Sequence, residues 1–172
     1  MPSQRTTDKG PVPAQKTAER GTTLTRKQLI DRLNEDLARE YQAIIAYIVY
    51  SQVLKGPEYM SIAQELQTHA SEELNHALLI SQQIDYLGGM PTVEPKQVKT
   101  TDNPEEMLRA DLNNEVETIW NYRERVRQCE QLQEFAIAEH IREILKDEQE
   151  HLIDLATALG EDPPDPGEAA GR

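Results

Sequence analysis

A chain of 172 residues that is 37% hydrophobic and 28% charged is long enough to bury one sizeable core. Its formal net charge of −13 argues against nucleic acid as a partner of the folded body and favours cations. A lone cysteine, Cys129, excludes an intrachain disulfide, and no run reaches the roughly 18 apolar residues needed to span a membrane.

With 5% aromatic residues and few alternating β-branched runs, sheet is not expected. Ala, Leu, Glu, Gln and Arg dominate the middle of the chain and favour helix, so the fold class is all-α. The N-terminus has no apolar signal region, and a cytoplasmic protein is expected.

In chain order, residues 1–24 are rich in Thr, Pro, Gln and Lys without a hydrophobic period and are expected to be a disordered tail. Arg5, Lys9, Lys16 and Arg20 outnumber Asp8 and Glu19 there, which leaves a weak DNA contact open beside the ordinary reading of a solvated tail. The first helix should start at Thr25, where Thr25-x-x-Gln28 has the form of a capping box, and stop before Gly56-Pro57. Its buried stripe is Leu29, Leu33, Leu37, Glu40, Ile44, Tyr47 and Leu54, an apolar line interrupted by a carboxylate.

A second helix should run from about Pro57 to Leu87, with Gly88 ending it in a left-handed conformation. Its stripe, Ile62, Leu66, His69, Glu73, His76, Ile80 and Ile84, carries the pair Glu73-x-x-His76. The next sixteen residues, 88–103, contain two prolines and no helical period. Extended at about 3.3 Å per residue they reach roughly 50 Å. They can therefore cross a whole bundle and let the third helix run parallel to the second.

The third helix should begin at Asn103, with Pro104 at its first position, and bury Leu108, Leu112, Glu115, Ile119, Tyr122, Val126 and Cys129. A break between Gln128 and Glu134 leads into the fourth, whose stripe is Ile137, Ile141, Ile144, Glu148, His151 and Leu155. That helix should end at Gly160, leaving residues 161–172 as an acidic, proline-rich tail with no fifth helix.

The chain is written twice. Glu73-x-x-His76 returns as Glu148-x-x-His151, and Leu33, Asp36, Leu37, Glu40, Ile44 and Tyr47 return as Leu108, Asp111, Leu112, Glu115, Ile119 and Tyr122, all at one offset of seventy-five residues. A single Glu-x-x-His on a helix is ordinarily a surface pair. Two copies inside apolar stripes, each matched to a lone Glu 33 residues upstream, point instead to a metal centre. Folding the stripes together gathers Glu40, Glu73, His76, Glu115, Glu148 and His151. Four carboxylates so close would repel by several kcal/mol even at an effective dielectric near 20, and two divalent cations would offset them. One imidazole per metal in a carboxylate-rich set suits iron, or manganese, better than structural zinc. His69 is read as a satisfied core histidine supporting the site, His140 as peripheral, and Cys129 as a small buried hydrophobe.

The segments LNEDLAREYQAIIAY, EELNHA, MLRADLNNEVE and LKDEQEH resemble the bacterioferritin branch of the ferritin-like superfamily over about residues 25–160. That resemblance implies a ferritin-like four-helix bundle with a long crossover between its second and third helices. It makes Glu40 and His76 terminal ligands of one iron and Glu115 and His151 of the other, with Glu73 and Glu148 bridging. Tyr47 matches the family's tyrosine beside the site, with a hydrogen-bonding or electron-donating role. The implied activity is ferroxidation of Fe²⁺ with O₂ or H₂O₂ and storage of ferric iron in a homo-oligomeric shell. The alternatives are a rubrerythrin-like peroxidase without storage and a DNA-protecting mini-ferritin; a rubredoxin-type Cys-x-x-Cys pair is not present for the former. Two departures qualify the resemblance. Leu74 stands where bacterioferritins place the haem-ligating methionine, so haem is not expected. The missing fifth helix favours a dodecamer over a 24-subunit cage.

Overall fold

The computed structural model describes residues 24–169. The expectations for the N-terminal tail, including its DNA contact, rest on residues 1–23 and lie outside the described residues.

Helix α1, Arg26–Val53, opens on Thr25. The Thr25 hydroxyl accepts from the Gln28 amide at 3.2 Å, and Gln28 Oε1 accepts from the Thr25 amide at 2.9 Å. Two of the free donors of the first turn are thereby satisfied. The chain re-enters helix through a 3-10 turn, Pro57–Tyr59, before α2, Met60–Tyr86. The α-helix thus starts later than the proline suggests. Pro57 has no amide hydrogen to give, and the first bond made, Tyr59 N–H to Gly56 O at 3.2 Å, closes the tighter ring.

Gly88 ends α2 at φ 86°, with its amide on Asp85 O at 2.8 Å and that of Gly89 on Ile84 O at 2.9 Å. A Cβ on Gly89 would stand 2.5 Å from Ile30 Cγ2, so a side chain there would push α1 away. Beyond it the crossover follows α1 along its length. Thr92 N–H reaches Asn34 Oδ1 at 2.7 Å, Lys96 N–H reaches Ala38 O at 3.0 Å, and Gln42 Nε2 and the Tyr50 hydroxyl donate to Gln97 O and Lys99 O. These bonds, three of them from or to side chains of α1, replace the ladder that an extended strand would otherwise need.

The crossover delivers the chain to the far end of α1, where Asn103 caps α3, Pro104–Gln131, by accepting from the amides of Glu105 and Glu106. Helix α3 therefore runs antiparallel to α1 and parallel to α2, as the length of the crossover predicts. The break into α4, Phe135–Ala158, has neither glycine nor proline. Gln133 takes the left-handed conformation instead, at φ 63°, while Glu134 N–H closes on Cys129 O at 2.8 Å. Among the described residues of the acidic tail, 161–169, there is no bundle helix. The tail does form one helical turn, α5, Pro166–Ala169, with Pro166 buried and the turn packed on α3. Its approach is held by the bidentate pair of Arg109 with Glu161.

Each expected stripe is buried except at Ile44 and Val126, which are half-buried; Ala46 and Tyr50 extend the inner face of α1 instead. Two apolar layers result, one around Tyr47, Leu66, Leu108 and Leu155 and the other around Leu33, Ile80, Tyr122 and Ile141. The charged residues of the duplicated motif lie between them.

Candidate metal centre

Each helix gives the centre a carboxylate because each stripe carries one on its inward face at mid-length. Glu40, Glu73, Glu115 and Glu148 are each at most 2% exposed, and His76 and His151 are buried beside them. The six form two overlapping groups, Glu40–Glu73–His76–Glu148 and Glu73–Glu115–Glu148–His151, in each of which one ligand atom per residue lies within 4.8 Å of the others. Glu73 and Glu148 belong to both. Such sharing is what two adjacent cations with bridging carboxylates would require.

The side chains aim at common points rather than at one another. His151 Nδ1 stands 2.9 Å from Glu73 Oε1, and His76 Nδ1 stands 3.3 Å from Glu148 Oε1. Even so, His151 Nδ1, Glu73 Oε1 and both Glu148 oxygens make no aligned hydrogen bond, nor do Glu40 Oε2 and Glu115 Oε2. Six buried polar atoms without partners converge on one volume, and leaving such atoms unsatisfied costs about 1–3 kcal/mol each. Cations between them would remove that cost.

Groups outside the hexad fix its orientation, in the same two-fold pattern. Tyr47 donates its hydroxyl hydrogen to Glu115, and Tyr122 donates to Glu40, each in a short contact. His76 Nε2 lies 3.1 Å from Asp147 Oδ2, and His151 Nε2 lies 2.9 Å from Glu72 Oε2. A carboxylate on Nε2 keeps a proton there and turns Nδ1 inward, where its lone pair becomes available once a cation displaces the second proton. Burial, followed by the nearby carboxylates, pushes both tyrosine hydroxyls well above their ordinary range, so they remain donors.

The electrostatics of the cation-free centre follow from the same crowding. Burial, then repulsion from Glu73 and Glu148, raises Glu40 and Glu115 well above the usual carboxylate range. Burial also opposes ionisation of Glu73 and Glu148, but contacts with Glu40 and the two imidazoles at Glu73, and with the imidazoles at Glu148, outweigh it and hold both below that range. Desolvation would lower His76 and His151; close carboxylates overcome it and raise both, Glu148, Glu40 and Glu73 at His76 and Glu148, Glu73 and Glu115 at His151, the latter to about 12. His69 goes the other way, lowered first by burial and then by the neighbouring His151.

All six candidate ligands and Tyr47 thus stand where the duplicated pattern places them. Sequence reasoning paired Tyr122 with Tyr47 in the repeat but gave a role beside the site to Tyr47 alone, and it overlooked Glu72 and Asp147. The signal was present, since an acidic residue directly precedes the glutamate in both Glu-x-x-His copies. His140, half-exposed, faces Glu143 and takes no part.

Comparison with known proteins agrees with this geometry. The ferritin-like domain model matches residues 30–163. The bacterioferritin of Brucella melitensis is 28% identical over 144 residues, covering 78% of this chain and 88% of that protein. Among solved structures, a ferritin-like, diiron-carboxylate protein from Bacillus anthracis superposes with a TM-score of 0.75 at 34% identity, covering 78% of this chain and 96% of that one. A dodecameric thioferritin, the bacterioferritin-related protein of Bacteroides fragilis, gives a TM-score of 0.73 at 29% identity over 80% of this chain and 88% of that one. With four long helices, a bundle-spanning crossover and a domain match over most of its length, the chain belongs to the ferritin-like family.

Proposed function

We propose that the protein is a ferroxidase and iron-storage or detoxification protein. It binds two Fe²⁺ ions, Glu40 and His76 holding one and Glu115 and His151 the other, with Glu73 and Glu148 bridging. The observation that carries this reading is the pair of four-residue groups sharing Glu73 and Glu148. The diiron-carboxylate and bacterioferritin relatives support it.

As substrate, each Fe²⁺ gives up one electron. Two electrons and two protons reduce O₂ to H₂O₂, or H₂O₂ to two waters. The chain's own contribution is positional. Asp147 and Glu72 orient the imidazoles, Tyr122 and Tyr47 hold the terminal carboxylates, and the apolar layers keep bulk water out. Tyr47 and Tyr122 are the nearest hydroxyl donors to the site.

Haem is not part of this reading, because Leu74 has no sulfur to offer and stands 52% exposed on α2. A homo-oligomeric shell is. Ile45, Ile48, Val49 and Val53 form an exposed apolar stripe on α1, and such a stripe calls for a covering partner. A dodecamer is favoured by the likeness to the Bacteroides fragilis protein. No helix among the described residues is long and apolar enough to cross a membrane.

Anaerobic titration with Fe²⁺ tests the centre. The chain is expected to take up two ions before any mineral forms, and Glu115→Ala should lower that number. A plateau at one ion in the unmodified protein would sink the dinuclear reading.

A further inference from the structure

One buried imidazole has no counterpart in the duplication. His69 lies one turn before Glu73 on α2, and the equivalent position of the second half is Ile144. Isoleucine fills that place in the other half, so packing alone does not call for a histidine. His69 is 2% exposed and stacks on His151 with ring centroids 4.0 Å apart. Its Nε2 meets Asp154 Oδ2 at 3.3 Å, and its buried Nδ1 has no hydrogen-bond partner. A buried polar atom left unpaired in this way needs a reason.

Two trios of potential ligands share this ring. Outward, Glu65 from one turn earlier on α2 and Asp154 from one turn beyond His151 on α4 bring carboxylate oxygens within 4.8 Å of a His69 nitrogen and of each other. Glu65 is exposed and Asp154 half-buried, and both line a surface cavity of about 230 Å³. Inward, Glu72 brings an oxygen within 4.8 Å of nitrogens on both His69 and His151. A chain of ligands therefore leads from solvent to the centre, and each step is shorter than a hydrated ion is wide.

We infer that Glu65, His69 and Asp154 form a third, mononuclear divalent-cation site at this cavity, from which the ion passes by Glu72 to the dinuclear centre. Two carboxylates oppose the charge of a dication, and one imidazole adds the nitrogen that first-row divalent metals prefer over Ca²⁺ or Mg²⁺. Three protein ligands leave the remaining positions to water, which keeps the ion exchangeable. The carboxylates are open to a hydrated ion, whereas the imidazole is reached only as water is shed. The onward transfer rests on the dinuclear reading; the outer site does not.

Co²⁺ alone, with the full-length protein, tests both parts. Equilibrium dialysis is expected to find three Co²⁺ per chain in the unmodified protein and two in the isosteric double variant Glu65→Gln/Asp154→Asn. Stopped-flow absorbance should show the remaining two loading more slowly in that variant, on the order of tenfold. His69→Ile, which borrows the residue of the equivalent position, should fold normally and also lose the third ion. An unchanged count in both variants would overturn the site. A lost ion with unchanged loading would overturn the transfer. Failure of the dinuclear reading appears separately, as Glu115→Ala binding as many ions as the unmodified chain.

Discussion

Glu40 and Glu115 hold protons that an incoming dication must displace, and so do the two imidazoles. In the cation-free centre Glu73 and Glu148 are ionised while His76 and His151 are protonated, so the two negative and two positive charges cancel. With two dications bound, four ionised carboxylates and two neutral imidazoles again give zero. The difference between these neutral states is four protons, which predicts release of about four protons per chain when two divalent ions bind near neutral pH. Because protons are products of loading, apparent affinity must rise with pH and fall on acidification. Calorimetry in buffers of differing ionisation enthalpy measures the number directly, and release of one proton or none would contradict the assigned protonation. The short bonds from Tyr47 and Tyr122 work in the same direction, since each hydroxyl hydrogen offsets part of the charge its glutamate acquires.

Within the helices, the duplication is broken by a charge cluster that the apolar pattern did not announce. Arg125 on α3 is 2% exposed and pairs with Asp36 on α1 through Nε–Oδ2 at 2.5 Å and Nη2–Oδ1 at 3.1 Å, while Arg39 also reaches Asp36. The equivalents in the other half are Tyr50 and Asp111. Tyr50 gives its hydroxyl to Lys99 O, so Asp111 keeps Oδ2 unpaired, and its carboxyl is raised by burial and then by Glu73. Removing Arg125 leaves the buried Asp36 with Arg39 as its one remaining guanidinium partner and strips two of its charge-assisted bonds, so Arg125→Ala should destabilise the fold by about 1–3 kcal/mol. Replacing Arg125 by Met, Asp36 by Leu and Arg39 by Met together removes the whole cluster without leaving a bare charge and should cost less than Arg125→Ala alone, and chemical denaturation of both variants decides whether the cluster matters for its charge or for its volume. Helix starts at Thr25 and Asn103 and the stop at Gly88 were legible because capping chemistry and the left-handed conformation have their own residue preferences. Gln133 was not, since its left-handed backbone is imposed by the bond from Glu134 to Cys129 and no residue type advertises it. Likewise the convergence of the six candidate ligands could be read from sequence, whereas Asp36–Arg125 could not. A repeat reveals what both halves share and is silent on what pairs across them.

At the scale of the whole molecule, the proposed storage role depends on where ferric iron formed at the centre would go. The bundle is acidic, with a net charge of −13 over the chain, and it exposes the α1 stripe together with Leu74 and Leu78 on α2. Covering that apolar surface with further copies builds a shell, and closing the shell encloses acidic surface. If the protein stores iron, aerobic addition of Fe²⁺ well beyond two per chain should leave the solution clear, with electron-dense cores inside the particles, because oxidised ions leave the centre into an enclosed cavity. A diiron oxidase without a cavity would instead shed bulk ferric hydroxide. Glu40→Ala and Glu148→Ala separate assembly from chemistry. Glu40 carries no charge in the cation-free centre, and loss of the Glu148 carboxylate can be met by loss of one imidazolium proton, so neither change leaves a bare buried charge and both variants should assemble normally. The same change removes a terminal ligand in one case and a bridge in the other, and ferroxidation should slow in both. Intact particles that oxidise iron at the unmodified rate in both variants would place the chemistry outside the duplicated motif; intact particles that oxidise slowly and precipitate excess iron would show that storage depends on the centre.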